Sequence, residues 1–293
     1  DMTFLEGNLT TGHRTSIRSG LPTPTWRKLY GGVQPTKSRA VQVTDNTGMM
    51  EDYSEVDKAL VEMAGNPAAF RLQEDRPHIE GMNQEFASTL FYGDESTAPE
   101  EFTGLSARYN SLSAENGDNI IAGGGSGSDN ASIWLICWGP NTCHGIIPKG
   151  SKAGVQQRDL GEVTLENADG ANGRMQAFRT HYRWDVGLSV RDWRYAVRIA
   201  NIDRSALTFN AASGADLNDL MHQAWTEIPN TSMGRSAWYM DKSILSMLRR
   251  QTSSAVSSST LTTDLVGGTM QTSWGGIPIR RCDALRGNEA TVS

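Results

Sequence analysis

The most regular pattern in the chain is FRTHYRWDVGLSVRDWRYAVRIANID, residues 178–203, in which apolar and polar side chains alternate. This alternation is typical of a long strand or hairpin with one buried face. The residues predicted for that face are Phe178, Thr180, Tyr182, Trp184, Val186, Leu188 and Val190. The phase slips by one residue at Arg191-Asp192, which predicts a β-bulge. We therefore predict a long, kinked β element that ends near Asp203.

The composition is that of a polar globular protein. Its 293 residues are 38% hydrophobic and 20% charged, and the net charge is −6. This acidic balance argues against a dedicated nucleic-acid-binding protein but permits a protein that encloses nucleic acid. No apolar run approaches the roughly 20 residues that cross a bilayer, and the opening DMTFLEGNLT lacks the pattern of a secretory signal. Three Cys fit a reduced cytosolic origin better than a disulfide framework.

The first 55 residues predict two extended segments with little apolar material. Residues 1–26 are expected to form an arm that packs on another surface, such as that of a neighbouring subunit. Residues 27–55 predict a thin β-ribbon with a strand near 26–30 and a turn at Gly31-Gly32. Because a two-stranded ribbon is marginal alone in water, it needs a partner surface, either within the chain or across an interface.

Candidate interface residues follow from these segments and from the charge pattern. Aromatic side chains are enriched at interfaces, and paired Arg residues could meet Glu or Asp pairs of another subunit, each ion pair worth about 0–1 kcal/mol. Solvated surface is the alternative for the charged pairs. The candidates are Phe4, Leu5, Leu9, Trp26, Tyr30, Lys37, Arg39, Val41, Val43, Glu51, Asp52, Arg249 and Arg250.

The rest of the chain mixes helix and strand signals. Helices are predicted at 54–63, 77–92, 214–228 and 238–251. Strands are predicted at 132–138, 143–147 and 160–165, a closing hairpin at 269–274 and 277–282, and a loop at 252–263. Because regular βαβ alternation is missing from the pattern, the predicted fold class is α+β.

Two motifs for chemistry fail on a residue that the chemistry requires. The segment GIIPKGSKAG, residues 145–154, has the glycine spacing of a phosphate-binding loop, but Ser151 stands where Lys must be. The segment GLSVR, residues 187–191, lacks the final Gly of a nucleophile elbow. Ser189 is therefore expected to be an outward-facing strand residue.

The Cys and His residues predict no metal centre. Cys137, Cys143 and His144 do not have the paired spacing of structural zinc ligands, so the two Cys are predicted to be buried thiols. The five His form no cluster and are expected at the surface or at interfaces. We predict no catalytic residue, no cofactor and no metal site.

Four segments carry a resemblance to a known family. In chain order they are FYGDESTAPEEFTGL, HGIIPKGSKAG, DLGEVTLENADG and RTHYRWDVGLSVRDWRYAVRIANID. Their length and order resemble major capsid proteins of tailed double-stranded-DNA bacteriophages, particularly the short-tailed phages. The resemblance covers essentially the whole chain, and none of the segments is a catalytic motif.

The resemblance implies the Hong Kong 97-type capsid fold, an α+β fold with an N-terminal arm, an extended β-loop, a peripheral domain and an axial domain. It implies a structural, non-enzymatic subunit. The implied division is an arm at 1–26, the extended loop at 27–55, peripheral residues 56–118 with a spine helix at 77–92, axial residues 119–173, long peripheral strands at 174–204, axial residues 205–265 and closing peripheral strands at 266–293.

The same resemblance implies a function and a set of partners. Copies of the chain would assemble into pentamers and hexamers of an icosahedral shell that encloses double-stranded DNA without reading its sequence. A separate scaffolding protein, a portal and a cementing or decoration protein would be partners, and no membrane is expected. Assembly would take place in the bacterial host cytoplasm. The alternatives are a soluble α+β hydrolase and a decoration or adhesin-type binding module.

Overall fold

The computed structural model describes residues 1–20, 22–166, 168, 170–254, 261–266 and 269–293. Strands and helices follow each other irregularly, in agreement with the predicted α+β class. The strands are β1 (Phe4–Glu6), β2 (Gly12–Gly20), β3 (Arg39–Asp57), β4 (Ile120–Ala122), β5 (Asn130–Trp138), β6 (Cys143–Ile147), β7 (Gln156–Glu166), β8 (Arg174–Val190), β9 (Ala196–Asp203), β10 (Arg235–Met240), β11 (Leu261–Val266), β12 (Thr269–Trp274) and β13 (Ile277–Arg281). The α-helices are α1 (Lys58–Met63), α2 (Pro67–Tyr92), α3 (Leu105–Arg108), α4 (Leu217–Glu227) and α5 (Lys242–Ser254).

The described strands join into a 13-stranded sheet with the main path β11-β12-β13-β10-β5-β6-β8-β3-β2. β8 is antiparallel to β3 on one edge and to β7 on the other. The predicted buried face of β8 is confirmed for six of its seven residues, and Phe178 is half-buried. The six buried side chains are Thr180, Tyr182, Trp184, Val186, Leu188 and Val190.

The predicted β-bulge at Arg191-Asp192 is wrong. β8 ends at Val190, and the Asp192 carboxylate accepts the backbone N–H of Arg194, which caps a 3-10 turn. After the turn, β9 pairs with β4 and β5 rather than with the partners of β8. A short turn between two strands shifts the alternation by one residue just as a bulge does, so the local pattern did not separate the two.

β5 lies between two apolar cores, and all nine of its residues are buried. Ile133 and Leu135 share one core with apolar residues of α4 and α5. Trp134 and Ile136 belong to the other, together with residues of α2. Burial of one such side chain stabilises a fold by about 1.5–3 kcal/mol, so this strand holds the two sides of the molecule together.

The predicted start of the spine helix at Pro77 is wrong. α2 begins at Pro67, and the side chain of Asn66 accepts the backbone N–H of Ala69 as the N-cap. Pro77 lies inside the helix at an exposed position. Pro77 has no backbone N–H, so the carbonyl of Gln73 one turn earlier lacks its helical hydrogen-bond donor. The preference for Pro in a first helical turn applied to Pro67 instead.

Other boundaries also differ from the predictions. β3 extends to Asp57, so α1 begins at Lys58 rather than near Ser54. The first residues of the predicted helix 238–251 form the end of β10, which pairs with β5 and β13. Residues 261–263, expected in a loop, begin β11, and residues 255–260 of that loop lie outside the described residues. Among the described helices, none is both long and apolar enough to cross a membrane.

Candidate assembly interface

The first residues of the expected arm pack on their own subunit. β1 is parallel to β6, and Phe4 lies opposite Gly145. A Cβ atom at Gly145 would lie 2.5 Å from the Phe4 ring, so this glycine leaves room for the arm. Phe4 remains 39% exposed, and Leu5 and Leu9 are half-buried. These three candidates thus have an intrachain contact surface and also keep area that another subunit could cover.

Residues 12–20, which were predicted as part of the arm, instead form one strand of a two-stranded ribbon. β2 is antiparallel to the first part of β3, with His13 opposite Asp45 and Ile17 opposite Val41. β2 lies at the end of the strand order, and Val41 is exposed while Val43 is half-buried. The ribbon therefore has little apolar packing within its own chain.

Residues 22–38, here called the ribbon tip, contain no strand or helix, and the predicted strand near 26–30 does not form. Trp26, Leu29 and Tyr30 are 104%, 89% and 105% exposed. Their side chains therefore touch almost nothing in their own chain. Several large apolar side chains exposed together mark a site of interaction with another molecule.

The ribbon tip holds a defined turn. The backbone N–H of Gly31 donates to the carbonyl of Lys28 at 3.1 Å. Tyr30 has a φ of 64°, which is uncommon for a residue other than glycine. The turn places Leu29 and Tyr30 at the end of the tip, where both reach into solvent.

The arm and the ribbon are positively charged in an otherwise acidic chain. Residues 7–44 contain six Arg or Lys and no Asp or Glu, whereas the whole chain has a net charge of −6. Arg27, Lys28, Lys37 and Arg39 are exposed. These four cations form no ion pair with any residue that the structure describes, so they are available to an acidic partner surface.

An apolar pocket with an acidic rim, here called the acidic-rim pocket, lies between β3 and the end of α2. Its volume is about 130 Å³. Its floor includes Met50, Phe102 and Val186, Met49 lies at its mouth, and its rim carries Glu85, Glu100 and Glu101. None of the three Glu forms an ion pair with another described residue. The pocket thus combines apolar surface with uncompensated negative charge.

The predicted acidic candidates have partners within the chain. Glu51 lies 3.3 Å from His181 and 3.7 Å from Arg183 on the neighbouring strand β8. Asp52 lies 2.7 Å from Nδ1 of His78 on α2. These contacts join β3 to its own subunit, so a role of Glu51 or Asp52 between subunits stays a prediction.

The predicted basic pair Arg249 and Arg250 lies on a different part of the molecule, on α5. Arg249 donates to Thr272 at 2.6 Å across the gap between α5 and β12, and Arg250 is exposed. Arg280 forms an ion pair with Asp1 at 2.9 Å. Arg250 is therefore the candidate of this group that is best placed for an intermolecular contact.

A buried polar network that sequence reasoning missed joins the C-terminal tail to the sheet. Arg198 on β9 lies 2.7 Å from Glu289, and the two side chains are 4% and 5% exposed. Arg198 also donates to Ser132 at 3.1 Å and to the carbonyl of Tyr109 at 2.7 Å. Tyr92, the last residue of α2, donates to Glu289 at 2.5 Å. The partners are too far apart in sequence for a local pattern to indicate the network.

The residues expected to lie at the surface on β6 and β8 are buried instead. Ser189, predicted to face outward, donates to Asp45 at 2.7 Å, and Asp45 also lies 2.8 Å from Arg108. His144, opposite Ser189 in the sheet, is buried with neither ring nitrogen hydrogen-bonded to a described residue. Burial and the nearby His13 lower the pKa of His144 to about 4. The predictions for Ser189 and His144 are wrong, because Asp45 of β3 and His13 of β2 contact these two side chains.

This cluster does not have the geometry of a hydrolase. The Ser189 hydroxyl donates to a carboxylate rather than to an imidazole, so no base is placed to activate it. Cys137 and Cys143 are free and buried as predicted, and burial raises the pKa of both thiols. Within the described part of the chain, no group of three His, Cys, Asp or Glu could hold a metal ion.

Comparison with known proteins identifies the family. The family model described as Major capsid protein GP7 matches residues 1–293. A chain in the structure of bacteriophage Epsilon15 is similar over 100% of this chain and 88% of its own, with 37% identity and a TM-score of 0.74. The capsid of bacteriophage JBD30 is similar over 97% of this chain and 88% of its own, with 8% identity and a TM-score of 0.49. Among curated proteins, none matches the chain.

The protein is thus a structural subunit of an icosahedral phage capsid with the Hong Kong 97-type α+β fold, not an enzyme. The chain belongs to the Major capsid protein GP7 family. The hydrolase and the decoration or adhesin-type module are not supported by the match. Such subunits assemble with copies of themselves, so the exposed ribbon tip and the acidic-rim pocket belong to a protein whose surfaces meet further copies.

Proposed function

We propose that copies of this chain form pentamers and hexamers and that the ribbon tip of each copy packs against a neighbouring subunit. The observation that carries this proposal is the exposure of Trp26, Leu29 and Tyr30 at the end of a ribbon that its own chain leaves uncovered. A contact that runs from one subunit to the next is heterologous, and such contacts close into rings when the rotation permits. The chain therefore supplies half of the contact, and its neighbour supplies the other half.

The strand pairing favours a division into two units. The peripheral unit is α2 with β3, β7 and β8. The axial unit contains β4, β5 and β9–β13 with α4 and α5. This division differs from the sequence-based one, which placed residues 156–166 in the axial domain and assigned residues 196–203 and the closing strands β12 and β13 to the peripheral domain. The reason is that β7 pairs with β8, whereas β9 pairs with β5 and β13 pairs with β10. We propose that the axial unit lies at the capsomer centre and the peripheral unit at its rim.

The proposed shell encloses double-stranded DNA without reading its sequence. The acidic chain carries a net charge of −6, which would limit adhesion of the body to DNA phosphates. A separate scaffolding protein, a portal and a cementing or decoration protein are the proposed partners during assembly in the host cytoplasm. Lys37, Arg39, Val41, Val43 and Arg250 are exposed or half-exposed and are proposed contact residues between subunits.

Replacement of residues 21–38 by a two-residue Asn-Gly turn tests the proposal. Asn-Gly suits a two-residue hairpin, so β2 and β3 keep their pairing. We expect a folded subunit with an unchanged circular dichroism spectrum that forms no particles in negative-stain images. Normal particles from this variant would contradict the proposal. An unfolded variant would mean that the ribbon tip belongs to the folding core, which would also contradict it.

A further inference from the structure

We propose that the acidic-rim pocket receives the ribbon tip of a second copy of the chain. In this arrangement Leu29 enters the apolar floor, and Arg27 and Lys28 lie against Glu100 and Glu101. The inference rests on the proposed function, because it names the surface of the neighbouring subunit that the ribbon tip contacts. Geometry within one subunit, pocket size and charge each support it.

The ribbon tip and the pocket of one chain do not meet. β3 leads from the ribbon tip at Arg39 to the pocket at Met49, and an extended strand of ten residues covers about 33 Å. The exposure of Trp26, Leu29 and Tyr30 shows that the tip does not fold back along this path. A ribbon tip that fills an acidic-rim pocket must therefore come from another copy.

The pocket has the size and chemistry for one apolar side chain from the tip. Its volume of about 130 Å³ is close to that of a cavity of about 150 Å³ that holds a benzene molecule. Met49 is 59% exposed at the pocket mouth, and Phe102 is buried below it. A leucine at the end of a turn projects far enough to enter such a pocket, and its entry would cover apolar surface on both partners.

Charge complementarity favours the basic ribbon tip, rather than an uncharged apolar segment, as the occupant of the acidic-rim pocket. Residues 74–101, which contain the end of α2 and the rim, have eight Asp or Glu and one Arg. Arg27 and Lys28 precede Leu29 directly, so cations lie next to the side chain that would fill the pocket. Opposite charges that face each other across an interface speed encounter and fix the register of the contact.

A charge-reversal experiment tests the pairing. We would compare the full chain with three variants: Arg27→Glu with Lys28→Glu, Glu100→Lys with Glu101→Lys, and all four changes together. Glu115→Lys with Asp118→Lys is the matched control, because it makes the same charge change at exposed positions outside the pocket. Particle yield is measured by sedimentation at about 0.1 M salt, where charge interactions reach about 10 Å.

We expect each reversal alone to lower particle yield at least about tenfold, which corresponds to a loss of about 1.4 kcal/mol. The four-change variant should return to within about threefold of the original chain, and the control should assemble normally. If Glu100→Lys with Glu101→Lys assembles normally, or if the four-change variant is no better than the worse of the two reversals, the pairing is wrong.

A crosslinking experiment keeps the test independent of charge. Chains with Leu29→Cys are mixed with chains with Met49→Cys and oxidised during assembly. We expect a disulfide-linked heterodimer in the mixture, and no such dimer from either chain alone. If removal of the ribbon tip abolishes particles but this heterodimer is absent, the tip contacts a different surface of its neighbour. In that case only the present inference fails. If removal of the tip leaves particles intact, the proposed function fails as well.

Discussion

Arg198 and Glu289 form an ion pair at 2.7 Å that is almost entirely removed from solvent. Arg198 belongs to β9, and Glu289 lies in the tail that follows β13. The pair thus fastens the end of the chain to the sheet. Because Tyr92 at the end of α2 also donates to Glu289, the same carboxylate links α2 to β9.

Glu289→Gln should destabilise the isolated subunit by about 3–5 kcal/mol, because removal of one partner leaves a buried charge uncompensated. Urea unfolding measures the loss. Glu166→Gln is the matched control, because Glu166 pairs with Arg174 at 3.2 Å with both side chains more than two-thirds exposed. That change should cost less than about 1 kcal/mol. Equal effects of the two variants would show that the buried pair has no special role.

Gly145→Ala should displace the N-terminal arm. The added methyl group would lie 2.5 Å from the Phe4 ring, a distance that non-bonded carbon atoms do not tolerate. Hydrogen exchange should show faster exchange of the β1 amides. Phe4→Ala combined with Gly145→Ala should restore protection, because it removes the clashing ring. The control is Gly65→Ala, where an added Cβ meets nothing within 4 Å, and it should leave exchange of the β1 amides unchanged. If these amides exchange as slowly in Gly145→Ala as in the original chain, the prediction is wrong.

His144 should make the subunit less stable as the pH falls from about 6.5 to about 4. Its folded-state pKa is lowered to about 4, whereas an unfolded His titrates near 6.5. Between these two pH values the unfolded state binds a proton at this His and the folded state does not. The free energy of unfolding therefore decreases as the pH is lowered. The groups that influence this His are His13, Arg191 and Asp45.

The expected loss from this one group between pH 7.5 and pH 5 is about 2 kcal/mol. Urea titrations at both pH values would measure it, and His144→Gln should remove that part of the difference. The matched control His222→Gln should retain it. A His144→Gln variant with the same pH dependence as the original chain would contradict the prediction.

Pro77→Ala should stabilise the subunit by about 2 kcal/mol. A proline inside a helix costs about 3 kcal/mol, because it removes a hydrogen bond and crowds the preceding turn. The lost restriction of the unfolded chain offsets part of the gain. Thermal unfolding measures the change, and Pro99→Ala, in the turn after α2, should bring no such gain. A destabilised Pro77→Ala variant would mean that the shape of α2 at Pro77 is required by its packing.

The sequence alone determined the features that depend on local periodicity and on the order of segments. Alternation identified the buried face of β8, because side chains of a strand point to opposite faces in turn. The lack of apolar material in the ribbon indicated that it needs a partner. The order of the quoted segments identified the capsid family over the whole chain.

The tertiary structure decided the features that depend on residues far apart in the chain. Strand pairing showed that β9 leaves the partners of β8 after the turn that begins at Trp193. Burial of Ser189 and His144 follows from their contacts with Asp45 on β3 and His13 on β2, which are far away in sequence. The ion pair of Arg198 and Glu289 could not be predicted from the sequence, because charged residues are common on protein surfaces. Only the packing of the fold removes this pair from water. Local patterns specify which face of an element is apolar, but the fold alone decides what covers it.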